Sequence, residues 1–276
     1  MRIISAEKIT AEVARLCLRA NFVLRSDIVD ALKRAYAQER NKKAKSALKA
    51  IIDNASIAQR EKLAICQDTG MAVVFVEVGQ DVTISGDLKP AIQKGVKLGY
   101  KKGYLRNSIV ADPLAPGSSG YAPAVIHTDI VRGQKIKITV LPKGFGCENK
   151  SQLKCFKPTA GWSEIKQFII DTVKTAGADA CPPYVVGIGI GGTADYASLL
   201  AKKALLRRLK DKKTRVSGLE KELLSGINKL NIGPMGLGGR TTALAVHIET
   251  YPTHIAGLAV AVNISCHALR SATAAL

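Results

Sequence analysis

The segment Cys66–Gly70, CQDTG, places a thiol, an amide and a carboxylate side by side just before an apolar run. A thiolate can bind a metal, a carboxylate can move a proton, and an amide can orient a ligand by hydrogen bonding. Two further cysteines stand beside polar or turn residues, Cys181 in ACPP and Cys266 in ISCHA. Their contexts make these three thiols candidates for ligands brought together from distant parts of the chain.

The other cysteines have weaker contexts. Cys17 lies among Leu and Ala in the middle of a predicted helix, where a small buried hydrophobic residue is expected. No two of the six cysteines form a CxxC pair, which argues against a zinc ribbon or a thioredoxin-type dithiol. Disulfides are not expected in a cytoplasmic chain. Each thiol is therefore either an inert buried side chain or a ligand, and neither Cys147 nor Cys155 has an assigned role.

Composition predicts a globular cytoplasmic protein. The chain has 276 residues, of which 47% are hydrophobic and 5% aromatic, enough for one large domain or two modest ones. No apolar run approaches the roughly 20 residues that a membrane span requires. The first 24 residues mix charged and apolar positions like an amphipathic helix, so they lack the uninterrupted apolar stretch of a signal peptide.

The formal net charge of +19 would attract RNA, an acidic partner subunit or anionic metabolites. The lysines, however, fall in helix-like stretches such as NKKAKSALKA and LKDKKTRVSG, which are typical of solvated faces. There is no RNA-binding motif with interleaved aromatic residues. A basic RNA-binding protein is kept as the alternative from a different functional class.

Hydrophobic periodicity predicts an α+β (irregular α/β) fold, with a helical N-terminal third followed by mixed strands and helices. Helices are expected at about 6–20, 27–39, 43–60, 163–176, 194–210 and 217–230. Strands are expected at 72–78, 124–131, 135–141, 184–190, 242–249 and 257–264. No repeat or low-complexity linker interrupts the chain.

Two glycine-rich turns follow predicted strands. VVGIGIGG (185–192) has the form of a strand and glycine turn before a helix, which could aim N–H groups at an anion. Its spacing is not that of a dinucleotide-binding loop, and close packing explains the glycines equally well. The loop around Gly144 and Gly146 permits close backbone approach and carries Lys143 and Lys150, so it would suit a carboxylate-bearing ligand.

Seven motifs, taken in order, resemble the α subunit, or N-terminal catalytic domain, of the class I iron–sulfur-dependent fumarate hydratase and L-tartrate dehydratase family. The resemblance covers nearly the whole chain after the first helices, and it implies a single domain over residues 1–276. The motifs are CQDTG (66–70), LRNSIVADPL (105–114), PAVIHTDIV (123–131), KGFGCENKS (143–151), ACPPYVVGIGIGGTADYASLLAKKALLR (180–207), LNIGPMGLGGRTTAL (230–244) and HIAGLAVAVNISCHALR (254–270).

The resemblance implies a 4Fe-4S cluster held by Cys66, Cys181 and Cys266, the same three thiols that local context selected. Thiolates are the usual ligands of such clusters. An iron without a protein ligand becomes a Lewis acid that can polarise a leaving hydroxyl. The motif KGFGC departs from the family pattern because Cys147 stands where a small Ser or Ala is expected.

The resemblance also implies a set of substrate and catalytic residues. Asp68 would move a proton and, with Gln67, contact the substrate. Arg106 and the backbone N–H groups near Gly144 would bind a carboxylate of a C4 dicarboxylate. His254 matches a histidine near the family's active site that would tune Asp68, although a lone histidine before an apolar strand is also often a core residue.

The first functional hypothesis is the α subunit of a two-subunit fumarase that adds water reversibly to fumarate to give (S)-malate. The alternative within the family is an L(+)-tartrate dehydratase α subunit; ENKS, LRNS and NISCHALR are closer to the fumarase pattern. In single-chain members a second domain follows the third cysteine, so a separate β subunit and a hetero-oligomer such as α2β2 are expected. The α chain alone should then be incomplete as a catalyst.

Overall fold

The computed structural model describes residues 2–211 and 215–276. The helices are α1 Ala6–Phe22, α2 Ser26–Gln38, α3 Lys42–Glu61, α4 Leu88–Lys102, α5 Phe145–Glu148, α6 Trp162–Ala176, α7 Ala194–Ala204 and α8 Ser217–Asn228. The strands are β1 Arg2–Ser5, β2 Met71–Gly79, β3 Val82–Ser85, β4 Ile109–Val110, β5 Ser119–Gly120, β6 Val125–Val131, β7 Ile136–Lys143, β8 Gln152–Phe156, β9 Tyr184–Ile190, β10 Ala243–Thr250, β11 Leu258–Ser265 and β12 Ala272–Ala275. Helices and mixed sheets together confirm the α+β class. Among the helices of the described residues, none has the length and apolar character needed to cross a lipid bilayer.

The chain forms two compact units. The first comprises Met1–Leu24, Ala55–Phe145 and Arg270–Leu276, and the second comprises Arg25–Asn54 and Gly146–Leu269. Each unit has its own cluster of buried apolar side chains. The expectation of one family domain over residues 1–276 stays a prediction.

The first unit contains a four-stranded sheet in the order β12-β7-β2-β6. β7 is antiparallel to both β12 and β2, whereas β6 is parallel to β2. Helix α1 packs on β7 and β12 and crosses α4 closely. A Cβ at Gly95 or Gly99 of α4 would lie only 2.7 Å from a backbone oxygen of α1. The α1–α4 crossing therefore requires glycines in α4, and the same glycines lower the helical propensity of that segment.

The second unit contains a four-stranded sheet in the order β10-β9-β11-β8. β9 is parallel to β10 and antiparallel to β11. Because side chains alternate along a strand, the sheet has two distinct faces. Apolar side chains of α6 and α8 join Tyr184, Val186 and Ile188 in one buried cluster. Alanines of α7 pack with Ala259 and Ala261 in another.

The glycines of β9 are explained by helix packing. A Cβ at Gly187 would lie 2.1 Å from the Ala201 oxygen, and one at Gly189 would lie 2.0 Å from the Ala197 oxygen. Gly191 has a φ of +94°, a conformation that favours glycine. The structure thus supports the packing interpretation for this strand, since its glycines let α7 lie directly on the sheet.

Most predicted elements are confirmed to within a few residues, but eight of the described elements were missed. These are α4, whose glycines lower its helical propensity, the four-residue helix α5, and six strands: β1, β3, β4, β5, β8 and β12. β1, β3 and β12 have four residues each, and β8 is largely exposed and polar, so none shows a clear apolar period. The helix predicted at 194–210 was wrong at its end: α7 stops at Ala204, and the guanidinium of Arg25 binds the carbonyls of Leu205 and Arg207.

We predict that Gly189→Ala lowers the free energy of unfolding by about 1–3 kcal/mol or more, because α7 must move away from β9. Gly218→Ala in α8 is the matched control, since no atom lies within 4 Å of the position that a Cβ would take there. That control should leave stability unchanged or raise it by up to about 1 kcal/mol. Urea titration of both variants measures the difference; equal midpoints would contradict the packing account.

Candidate functional site

The CQDTG turn is built around the carboxylate of Asp68. Its Oδ1 accepts a hydrogen bond from Gly70 N at 3.0 Å, and its Oδ2 accepts one from Phe145 N at 2.8 Å. The first bond closes the turn on itself, as aspartate commonly does in loops. The second joins the turn to the loop around Gly144. A Cβ at Gly144 would lie 3.1 Å from Oδ2, so a side chain there would crowd the carboxylate.

Glycine is also required at the end of this turn. Gly70 has a φ of +72°, and a Cβ there would lie 2.8 to 2.9 Å from the backbone atoms of Lys143. Only a residue without a side chain permits both the left-handed conformation and this approach. The turn therefore lies directly against the end of β7.

Two buried side chains bind the carbonyl groups of the turn. The Tyr100 hydroxyl lies 3.0 Å from Thr69 O and 3.1 Å from Gly70 O, and the guanidinium of Arg270 donates to Asp68 O. Tyr100 is 2% exposed and Arg270 is 3% exposed. Burial raises the pKa of Tyr100 above its ordinary value, which keeps the phenol protonated as a donor. Both residues hold the turn from its buried side.

The sequence gives no local signal for the roles of Tyr100 and Arg270. Arg270 stands four residues after Cys266 in the motif NISCHALR, and only the folded chain brings it to the turn. Its Nε is buried and has no hydrogen-bond partner among the described residues. Tyr100 lies in α4, the helix that hydrophobic periodicity failed to predict.

Arg106 is positioned by the same turn. Its backbone N donates to Thr69 Oγ1 at 3.0 Å, and Thr69 is only 2% exposed. The side chains of Arg106 and Gln67 are exposed. The first unit therefore gathers Gln67, Asp68, Arg106 and Gly144 into one loop cluster, with an amide and a guanidinium accessible to a ligand.

In the second unit, the structure brings Cys181 and Cys266 onto neighbouring loops. β9 and β11 pair antiparallel, with Ser265 opposite Val185, so Cys266 leaves β11 at the end where Cys181 precedes β9. The backbone N of His267 donates to Cys181 O at 3.3 Å, and His267 Nδ1 lies 3.0 Å from the same oxygen. Cys181 has a φ of +56°. Both thiols are half-buried.

The remaining cysteines differ in exposure. Cys17 is fully buried, which confirms the prediction of a buried core residue, and burial raises the pKa of its thiol to about 12. Cys155 is exposed on β8. Cys147 is 6% exposed, and its Sγ donates to Ala180 O at 3.4 Å. The thiol that departs from the family pattern therefore contacts the residue preceding Cys181.

His254 is exposed in the loop between β10 and β11, so the alternative of a core residue was wrong. Ala256 N donates to its Nδ1 at 3.1 Å. This loop is held at the end of β9, where Tyr251 N donates to Ile190 O at 2.9 Å. Within the second unit, His254 thus lies at the end of the sheet opposite to that of Cys181 and Cys266. Its role in catalysis stays a prediction.

The donor chemistry of the three selected cysteines fits an iron–sulfur cluster. Within residues 2–211 and 215–276, no three His, Cys, Asp or Glu side chains are grouped closely enough for a single metal ion. In a cluster, however, each thiolate binds its own iron, so the ligands are spread more widely than around one ion. Cys66, Cys181 and Cys266 are half-buried cysteines outside the helices and strands. Their convergence stays a prediction.

Comparison with known proteins gives consistent matches over nearly the whole chain. A family model described as "Fumarate hydratase (Fumerase)" matches residues 10–275. The chain is 42% identical over 274 residues to a protein named "Putative L(+)-tartrate dehydratase subunit alpha" from Methanocaldococcus jannaschii, covering 96% of each chain. It is 31% identical over 275 residues to the "L(+)-tartrate dehydratase subunit alpha" of Escherichia coli UTI89, covering 98% of this chain and 91% of that protein.

We predict that Arg270→Met loosens the CQDTG turn. A hydrogen bond from a charged donor contributes about 1.5–3 kcal/mol, so amide exchange over residues 66–70 should become at least about tenfold faster. Hydrogen–deuterium exchange with mass spectrometry measures this, with the amides of β2 as the internal reference for global unfolding. Arg132→Met, at an exposed arginine, is the control. Unchanged protection of the turn would show that Arg270 does not hold it.

Proposed function

The chain belongs to the fumarate hydratase (fumerase) family, and from this we propose that it is the α subunit of a two-subunit hydro-lyase that reversibly hydrates fumarate to (S)-malate. The observation that carries the proposal is the fixed carboxylate of Asp68 in a turn that also presents Cys66 and Gln67. The two backbone hydrogen bonds to Asp68 set its orientation before a ligand arrives. Such preorganisation is what a proton-transferring group requires.

The proposed cofactor is a 4Fe-4S cluster held by Cys66, Cys181 and Cys266. When bound, the cluster would supply a Lewis acid at its open iron. The protein groups have separate tasks: Asp68 exchanges a proton with the substrate, while the Gln67 amide orients it. Thiols in half-buried turns would be accessible for assembly of the cluster.

The substrate is proposed to be a C4 dicarboxylate. The exposed guanidinium of Arg106 suits one carboxylate, because its planar fork can donate two parallel hydrogen bonds. Fumarate is the first candidate, because the motifs LRNS, ENKS and NISCHALR resemble the fumarase pattern. L(+)-tartrate is the second candidate, because both relatives described above are named for tartrate dehydration. Loss of water from a hydroxy dicarboxylate would use the same groups in either case.

A β subunit is proposed as a separate partner chain. The relatives are named as alpha subunits, which implies such a partner. A dicarboxylate needs cationic or N–H partners at both ends, and among the predicted substrate residues Arg106 is the one cation. The β chain would then add charge partners in a cytoplasmic hetero-oligomer such as α2β2. The alternative of an RNA-binding protein gives no account of the cysteine motifs that the family match explains.

Steady-state kinetics with both substrates test the proposed function. The chain is reconstituted anaerobically with its cognate β subunit, and kcat/KM is compared for fumarate hydration and L-tartrate dehydration. The proposal predicts a preference for fumarate of at least about tenfold. A preference for tartrate would assign the chain to the second candidate. Inactivity toward both substrates, with the cluster present, would contradict the hydro-lyase proposal.

We predict that Asp68→Asn lowers kcat by about 10² or more, because the amide cannot take up the proton that the carboxylate exchanges. Asparagine has nearly the same shape and keeps one oxygen acceptor for the turn, so the iron and sulfide content should remain at the native level. Asp53→Asn on α3, at an exposed residue paired with Lys49, is the control. Native turnover in the Asp68 variant would mean that this carboxylate only closes its loop.

A further inference from the structure

Strand β6 forms an open edge of the sheet in the first unit. It pairs with β2 along one side, and no other strand of the described residues pairs with its second side. Three of its apolar side chains are exposed: Val125 is 38% exposed, Ile130 is 80% exposed and Val131 is 37% exposed. An edge of this kind presents backbone N–H and C=O groups to a further strand.

The other sheet edges are shorter or protected. β12 has four residues, β8 has five and carries Lys154, and β10 packs against α2 and α8. Short length, lysine and coverage by helices are the usual means by which proteins prevent edge-to-edge pairing. β6 has seven residues and contains neither lysine nor proline. Its one charged side chain is Asp129, and it lacks the short length, the lysine and, in the described part of the chain, the helix packing that protect the other edges.

The sequence of β6, VIHTDIV, is complementary to itself in the antiparallel direction. A two-fold axis at Thr128 places like apolar residues opposite one another and an imidazole opposite a carboxylate. The resulting pairs, each formed twice, are Val125 with Val131, Ile126 with Ile130, and His127 with Asp129. An imidazole can donate a hydrogen bond to a facing carboxylate, or form an ion pair with it when protonated, so the facing pairs are favourable.

Both faces of the sheet would continue across such a pairing. Register with β2 places Ile126 and Thr128 on the face of the buried Val74 and Val76. His127 lies on the other face, where its ring stacks on Phe75 with centroids 5.3 Å apart. The isoleucine pairs would thus extend the apolar face, and the histidine–aspartate pairs would lie on the opposite one.

We propose that two copies of this chain associate through β6, antiparallel about a two-fold axis at Thr128, and join their first-unit sheets into one continuous sheet. This isologous arrangement is the commonest symmetry of protein homodimers. In this dimer the backbone groups at the open edge of β6 are paired, and Ile126 of the second copy covers the exposed side chain of Ile130. The inference is independent of the proposed substrate, and it would give an α2β2 assembly its contact between α chains.

Cross-linking at the axis tests the geometry. In the proposed dimer, the Cα atoms of the two Thr128 residues lie about 4.5–5.5 Å apart, within the range that a disulfide can span. Thr128→Cys should therefore form, under mild oxidation, a reducible dimer of twice the 29.4 kDa chain mass. Ile130→Cys is the matched control, because its two copies lie about 13 Å apart along the strands. The native chain, oxidised under the same conditions, shows whether its own cysteines form a cross-linked dimer.

Exchanging His127 and Asp129, which face each other across the proposed axis, tests the pairing without cross-linking. His127→Asp alone places carboxylates opposite each other twice and should weaken dimerisation by about 2- to 30-fold. The double variant His127→Asp, Asp129→His restores the facing pairs and should recover most of the affinity, which a loss of folding would not do. Sedimentation equilibrium of the purified full chain measures both. A monomeric native chain, no more disulfide dimer from Thr128→Cys than from Ile130→Cys, or no recovery in the double variant would overturn the proposal.

Discussion

The carboxylate of Asp68, bound by the backbone N–H groups of Gly70 and Phe145, is the constraint on which the candidate site depends. It fixes the turn that carries Cys66 and Gln67 and ties this turn to the loop containing Gly144. Buried Tyr100 and Arg270 bind the carbonyls of the same turn. Gln67 and Arg106 are therefore exposed side chains on a backbone that is fixed from its buried side.

The second unit positions its share of the predicted ligands by strand pairing. The antiparallel register of β9 and β11 brings the turns of Cys181 and Cys266 to one end of the sheet, and His267 joins them through the Cys181 carbonyl. The glycines of β9 allow α7 to approach on one face. Sheet register and close helix packing thus determine where the thiols of this unit lie.

Features that depend only on neighbouring residues could be predicted from the sequence. Cys17 follows from its apolar helical context, and the strand around Val186 follows from its β-branched run. The bond from Arg270 to Asp68 spans 202 residues, and nothing in the local sequence encodes it. Helix α4 was missed because its glycines serve tertiary packing against α1. The exposure of His254 likewise depends on how the loop after β10 folds, which periodicity does not determine.

The central claim is that Cys66, Cys181 and Cys266 together hold one iron–sulfur cluster. Iron and acid-labile sulfide, measured per chain after anaerobic reconstitution of single Cys→Ser variants, test it most directly. The account predicts that each of these three variants loses the stable cluster, whereas Cys17→Ser and Cys155→Ser retain the native iron and sulfide content. Full cluster content in any of the three variants, or its loss in Cys155→Ser, would contradict the assignment.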